Sequence, residues 1–322
     1  MVNLKRAAFG IIACSMVATV PAVVKADYPE RSIELLVPAP AGGGTDTSAR
    51  KLAILLEKEL GTSIAVLNVA GGGGSVGVTQ FMQAKADGYK LLATWNSPLT
   101  TVPQVQPVSY SLDDLTPIAS TSETAYTFCV KPDFPAETGQ EFLTVLTQNP
   151  EKYTYGNDGI GGTMQLAAER IFQKTGIKAV PIPFGGAGET LQNFLGGHID
   201  IYGGSISPVL PYVQNGEAKC LLVTSAAEVP ALPQASGLAD VGLAEEETLL
   251  WRAILGPKDL SSDRLETLTR AITTAVNDPT YVDFLSAQGE TPNVVSGEKL
   301  RARLRAEYEG LAAVAKSLGL GN

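Results

Sequence analysis

Histidine occurs once in the 322 residues, as His198, and tryptophan only twice. A lone histidine between a helical and a strand-like stretch reads as a surface turn residue. It also leaves little material for acid–base catalysis. Gly203-Gly204-Ser205-Ile206-Ser207 approaches a nucleophile elbow but lacks the closing glycine, and no histidine follows it in the chain. No glycine run is followed by a phosphate-loop lysine, and there is no H-E-x-x-H. These gaps count against the common hydrolytic, nucleotide-dependent and metal-dependent chemistries, and no cofactor is implied.

Long apolar runs are also scarce. One extends from Ala7 to Val24, behind Lys5 and Arg6, and it reads as a secretory signal over residues 1–26. Val24-Lys25-Ala26 suits cleavage before Asp27. A lipoprotein signal modified at Cys14 is the weaker reading, because the residues after Cys14 stay apolar. No other run is long enough to span a bilayer. The expected product is an exported, periplasmic protein.

Basic charge is short as well. Without Lys5, Arg6 and Lys25 the chain keeps 21 basic side chains against 33 acidic ones, a net charge of −12. That argues against nucleic acid and anionic membranes as partners, though not against a small anion held by local backbone dipoles. Of three cysteines one lies in the signal. Export would permit Cys129 and Cys220 to pair, but each sits in an apolar strand-like run. The expectation is two free cysteines acting as small core hydrophobes.

Glycine is abundant, with 33 residues, and it recurs where strands meet helices. In Leu35–Arg50, LLVPAPAGGGTDTSAR, an apolar strand runs through Pro38 and Pro40 into Gly42, Gly43 and Gly44, then into a helix from about Thr45 to Leu60. These glycines permit positive φ and close approach of a ligand to the backbone. The first amides of the helix lack intrahelical acceptors, so they suit a small carboxylate or phosphate. A plain tight turn capped by Thr45 would use the same residues. Asp46 reads either as a dipole-complementing carboxylate or as a partner for a ligand hydroxyl or ammonium.

A strand at Ile64–Asn68 leads into a second loop, where Gly72, Gly74 and Gly77 match the dinucleotide fingerprint G-x-G-x-x-G, followed by a helix to about Ala86. The next strand, Tyr89–Thr94, ends in Trp95-Asn96-Ser97 without the acidic residue that would hold a ribose. An exported nucleotide- or dinucleotide-binding enzyme is therefore the alternative reading. From Tyr126 the strand–helix pattern restarts. Tyr153–Gly156 meets Asn157-Asp158-Gly159-Ile160-Gly161-Gly162 and a helix from Thr163 to Gly176. Pro183 to Gly188 and Gly203-Gly204-Ser205 follow later strands. Parallel strands with helices on both faces place ligands at the strands' carboxyl ends, where this chain repeatedly puts its glycines.

In this order the segments are specific. Val37-Pro38, Ala41-Gly42-Gly43-Gly44-Thr45-Asp46 with Ala49-Arg50, Asn68 with Gly71–Gly77, Asp87-Gly88-Tyr89 and Thr116-Pro117-Ile118 lead the series. Tyr155-Gly156 with Gly159–Gly162, Pro183-Phe184-Gly185-Gly186 and Trp251 complete it. The chain resembles the extracytoplasmic solute receptors of the tripartite tricarboxylate transporter family, of TctC/Bug type. The resemblance implies an α/β, type II periplasmic-binding-protein-like venus flytrap: two doubly wound lobes joined by a two-crossing hinge. It implies a non-enzymatic monomer that holds a small organic carboxylate between the lobes and delivers it to transporter subunits in the membrane.

The matching boundaries are 27–124 for the first part of lobe 1, 125–225 for lobe 2 and 226–322 for the rest of lobe 1. Crossings are expected near Thr121–Tyr126 and Thr224–Glu228. The implied ligand residues are Ala41, Gly42, Gly43, Gly44, Thr45, Asp46 and Asn96 on one lobe, with Asn157, Gly162, Thr163, Gly186 and Ser205 on the other. Three positions depart from the family pattern. Ala39 stands where an aromatic is common, Gln165 where a histidine is common, and Asn157-Asp158 where small serines are usual. Asp158 would repel a carboxylate placed beside it. On a final helix near Gly297–Ser317, Arg301, Arg303 and Arg305 read equally as a solvated face over an apolar stripe or as a face that meets the transporter.

Overall fold

The computed structural model describes residues 28–320, so the signal segment, Cys14 and the boundary before Asp27 lie outside the described residues. The first lobe opens with β1 (Ile33–Val37), α1 (Gly44–Leu60), β2 (Ile64–Asn68), α2 (Ser75–Phe81) and β3 (Lys90–Trp95). β1 pairs in parallel with both β2 and β3. Alternation along β1 sends Leu35 and Val37 into a core with Leu52 and Leu56 of α1, and Leu36 into a separate core with Val78 and Phe81 of α2. α2 ends at Phe81, short of Ala86, because Gln83 N and Ala84 N turn back to the carbonyls of Gln80 and Phe81 in a tight closing turn. The short helices α3 (Ser97–Thr100) and α4 (Val102–Val105) follow.

β4 (Leu115–Val130) then runs 16 residues without interruption. The second lobe holds α5 (Gly139–Gln148), β5 (Thr154–Asn157), α6 (Thr163–Thr175), β6 (Val180–Pro183), α7 (Ala187–Leu195), β7 (Ile201–Ser205), α8 (Ile206–Gln214) and β8 (Lys219–Val223). The chain returns through β9 (Leu249–Pro257) and completes lobe 1 with α9 (Ser262–Val276), α10 (Pro279–Ala287), β10 (Thr291–Pro292) and α11 (Gly297–Ser317). The strand order is β2-β1-β3-β9-β4-β7-β5-β6, with β8 and β10 also on β4. β4 therefore serves both lobes: Leu115–Ala125 pairs with β9, and Tyr126–Val130 pairs with β7 and β8. This is the expected two-lobed type II venus-flytrap architecture. The outward crossing is a continuous strand.

The return crossing departs from the expected Thr224–Glu228. Leu238 and Leu243 pack into the core built on Phe128 and Phe142, and Leu232 and Ala235 into that of Phe194 and Tyr202, so this segment belongs to the second lobe. The chain crosses back at Thr248–Leu249. There the buried Thr224 Oγ1 donates to Thr248 O at 2.6 Å and accepts from Tyr126 N at 2.9 Å, clipping the two crossings together.

The two cysteines also depart from expectation. Cys129 and Cys220 are cross-strand partners on β4 and β8 with Cα atoms 3.8 Å apart, and they form a disulfide. Each lies in an apolar run, as the sequence suggests, but the antiparallel register sets the runs side by side. On α11, Arg305 is half exposed beside Asp113, whereas Arg303 lies over the Trp251 ring and pairs with Glu123, so that face is not wholly solvated. Among the described residues no helix is long and apolar enough to cross a membrane.

Candidate functional site

A cavity of about 580 Å³ opens between the lobes at the carboxyl ends of their parallel strands. Its first-lobe wall is the β1–α1 turn, through Pro38, Ala39, Pro40, Gly43, Gly44 and Thr45, with Gly71–Gly74, Trp95 and α4 beside it. Gly42 carries the positive φ of the turn, +82°. Gly43 does not: it is the N-cap of α1 with φ −74° and ψ 165°, a conformation open to any residue, so the expected left-handed need applies at Gly42 alone. A glycine N-cap offers no side chain to the helix end. Thr47 N makes the first helical bond, to Gly43 O, which leaves the amides of Gly44, Thr45 and Asp46 without intrahelical acceptors.

Asp46 does not face the cavity. Its carboxylate accepts from Gly42 N at 2.8 Å, from Arg50 Nε and from Asn68 Nδ2 at 2.9 Å. Burial pushes its pKa up, but the hydrogen bonds from Arg50, Gly42 and Asn68 outweigh that and hold it below the usual carboxylate range. It is a brace that shapes the loop from behind. Ala41 and Gly42 are exposed on the outer side of the turn and do not line the cavity, whereas Gly43, Gly44 and Thr45 do.

Asn96 is withdrawn from the cavity for a different reason. It is fully buried, donating to Leu249 O at 2.9 Å and to Glu307 Oε1 at 2.6 Å. Glu307 also accepts from Thr100 Oγ1 and Trp251 Nε1, so Asn96 ties α11 to the hinge strand β9. Its proposed ligand role finds no free atom to serve it.

The residue that sequence reasoning missed is Arg252. It lies in the buried run of β9, lines the cavity and is 7% exposed. Glu290 holds its Nη1, Ser122 Oγ donates to the same Glu290 oxygen, and Arg252 Nε points to Thr45 Oγ1 at 3.4 Å. Nη2 lies against Gly44, where a Cβ would approach it to 2.9 Å. An arginine inside the apolar run LLWRAILGP was the available signal, since such a charge must be paired or functional. Arg252 and Asp158 are the only charged residues among those lining the cavity.

The second-lobe wall is formed by Asp158–Gly162, Gly185, Gly186 and Ser205. Gly162, Gly186 and Ser205 thus line the space, but Asn157 and Thr163 do not. Asn157 is fully buried behind its loop, its Oδ1 accepting from Gly159 N at 3.0 Å, while its Nδ2 has no acceptor among the described residues. Thr163 is also fully buried, and its hydroxyl bonds that of Thr101 from the first lobe at 2.9 Å. Gln165 Oε1 accepts from Gly161 N at 2.6 Å and fixes the loop that a histidine would otherwise border.

Asp158 folds onto the start of α6, where its Oδ1 accepts from Met164 N at 3.0 Å. A Cβ on Gly162 would come within 2.2 Å of that oxygen, so only glycine leaves room for it. Burial pushes the Asp158 carboxyl up to about 6, against the hydrogen bonds from the α6 amides that favour its ionised form. The fingerprint glycines behave as structure. Gly72 and Gly74 carry positive φ, a Cβ on Gly77 would meet Val69 O at 2.6 Å, and the loop joins the wall of this same cavity.

The chain and its fold have counterparts. Protein BugT of Bordetella pertussis is 28% identical over 306 residues, covering 94% of each chain. A TctC solute-binding protein from Polaromonas is 29% identical with a TM-score of 0.78, covering 90% of this chain and 100% of its own. An R. palustris protein solved with adipate shares the fold at 24% identity and a TM-score of 0.81, covering 92% of this chain and 99% of its own. The family described as tripartite tricarboxylate transporter family receptor matches residues 48–320, and the chain belongs to that family.

Proposed function

We propose that this protein is an extracytoplasmic receptor that captures a small organic carboxylate between its lobes and delivers it to the membrane subunits of a tripartite tricarboxylate-type transporter, without catalysis. The observation that carries the reading is the open start of α1 beside the Nη2 of Arg252. Unpaired amides, a helix dipole and a guanidinium converge on one side of an inter-lobe cavity. Gly43, Gly44, Thr45 and Arg252 take the carboxylate, and Gly162, Gly186 and Ser205 close over the other side. Family membership supports a receptor, and the adipate-bound neighbour supports an organic acid as cargo. Export to the periplasm with mature chain starting at Asp27 fits the apolar segment at Ala7–Val24.

The test is a thermal melt with a panel of organic acids, followed by calorimetric titration of those that shift it. A ligand at a hundredfold its dissociation constant adds about 2.7 kcal/mol to the folded state. Carboxylates are expected to raise the melting temperature, and NAD is not. A shift with dinucleotides alone, or sustained turnover of a bound acid, would overturn the receptor reading.

A further inference from the structure

The two lobes meet the cavity with helix starts of opposite character. At α1 the first-turn carboxylate, Asp46, is drawn behind the loop by Gly42 N, Arg50 and Asn68, and the amides stay open. At α6 the chain brings its own carboxylate to the amides: Asp158 Oδ1 accepts from Met164 N, in the space Gly162 leaves by having no Cβ. The neighbouring loop repeats the device, since Glu189 Oε2 accepts from Gly185 N at 2.7 Å before α7. An anion arriving at the α6 start would find its donors engaged and a like charge in its place. Between these ends the lining is largely apolar, with Trp95, Val102, Val105 and Leu250, and Ile160 stands 68% exposed at the second-lobe rim.

We infer that Asp158 sets the specificity of this receptor: the cargo is a monocarboxylate with an apolar body and a hydrogen-bond donor, hydroxyl or ammonium, at its far end, and not a dicarboxylate. The inference rests on the carboxylate-receptor reading given above. One carboxylate binds the α1 amides and Arg252. The donor end meets Asp158, the one carboxylate among the residues lining the cavity. A diacid of the same length would set two carboxylates against each other within the inter-lobe cavity, and the mismatch is worth about tenfold in affinity.

The experiment is calorimetric titration of matched series from propionate-sized to octanoate-sized chains, each ending in a hydroxyl, an ammonium or a second carboxylate. It is run on the unmodified protein, on Asp158→Asn, which keeps the acceptor over Met164 N, and on Asp158→Ser. At the best chain length the unmodified protein is expected to prefer a donor-ended acid over the diacid by tenfold or more. That ratio should fall to about one or reverse in both variants, whose folding is checked by circular dichroism. The hydroxyl and ammonium arms tell which donor is used. Diacids bound as well as donor-ended acids, with a ratio unmoved by either substitution, would overturn the role of Asp158 and leave the carboxylate receptor standing. If no carboxylate of any class binds the folded unmodified protein, the receptor reading falls and this inference falls with it.

Discussion

Gly44 shows how a missing side chain sets a site. A Cβ there would meet Arg252 Nη2 at 2.9 Å, whereas a Cβ on Gly43 would meet only Pro40 O at 3.4 Å, at an unstrained φ of −74°. Gly44→Ala is therefore expected to displace the guanidinium and weaken carboxylate binding by about one to two decades, the worth of a charge-assisted hydrogen bond. Gly43→Ala should stay within a few-fold of the unmodified protein in the same titration; equal losses in both would mean that the loop as a whole, and not Arg252, carries the anion. Asp158 permits a second prediction at this scale. Its folded-state pKa, about 6, lies above the ordinary 3.8, so the folded chain holds the proton more tightly and the group costs stability as pH rises between those values. Arg252 faces it across the cavity, and the buried hydroxyls of Tyr126, Tyr155 and Tyr202 feel its charge. Asp158→Asn should match the unmodified protein near pH 4 and exceed it above pH 6 by up to about 3 kcal/mol, an upper bound because Asp158 reaches the cavity. Urea unfolding across that range decides it, and a difference independent of pH would refute the assignment.

At the scale of elements, the legible parts were those with local signals. α6 and α11 begin and end where the sequence sets them, at Thr163–Thr175 before the left-handed Gly176 and at Gly297–Ser317 along its apolar stripe. The glycine loops were legible as loops because glycine is local chemistry. Which face of a loop meets the cavity was not: Asp46 is consumed by its neighbours Gly42 and Arg50 together with Asn68, and Asn96 by Leu249 and Glu307 far along the chain. The 16-residue β4 was hidden for a related reason, since its two halves are strands of different sheets and only pairing with β9, β7 and β8 makes them one. The lobe boundary failed because Leu232, Leu238 and Leu243 sit in irregular chain, where no period announces burial. Asn96 supplies the test at this scale. Glu307→Ala strands buried donors of Asn96, Thr100 and Trp251, so it should cost about 3 kcal/mol or more in urea unfolding. Carboxylate affinity of the folded fraction should move less than a few-fold. A large affinity loss without a stability loss would return Asn96 to the ligand site.

Taken whole, the molecule is two lobes sharing β4, and its cross-links are unevenly placed. The Cys129–Cys220 disulfide closes a separation of 91 residues wholly within the second lobe. In the chain-entropy account a loop of that length is worth about 4 to 5 kcal/mol. Reduction should thus lower the melting temperature by several degrees, and bound carboxylate, which engages both lobes, should recover part of it. No change on complete reduction, with both thiols titrated, would mean the bond adds nothing to the folded state. The lobes also touch directly, Leu166 of α6 packing with Leu311 and Ala315 of α11. Across the cavity floor Thr101 bonds Thr163, and a Cβ on Gly161 would strike Val105 at 2.4 Å. Bulk at Gly161 therefore acts as a wedge between lobes that must meet to enclose cargo. Gly161 also holds φ +71°, so Gly161→Ala carries backbone strain as well as the clash. The two effects separate in a double variant: the Val105 Cβ would itself lie 2.7 Å from the new methyl, so Val105→Gly removes the obstacle and leaves the strain. Small-angle scattering should show the unmodified protein compacting when saturated with carboxylate, Gly161→Ala failing to compact and binding more weakly, and Gly161→Ala with Val105→Gly regaining most of both. Compaction of Gly161→Ala equal to that of the unmodified protein would place the closure contact elsewhere on the lobe faces, whereas a double variant no better than the single one would assign the loss to strain in the loop that presents Asp158.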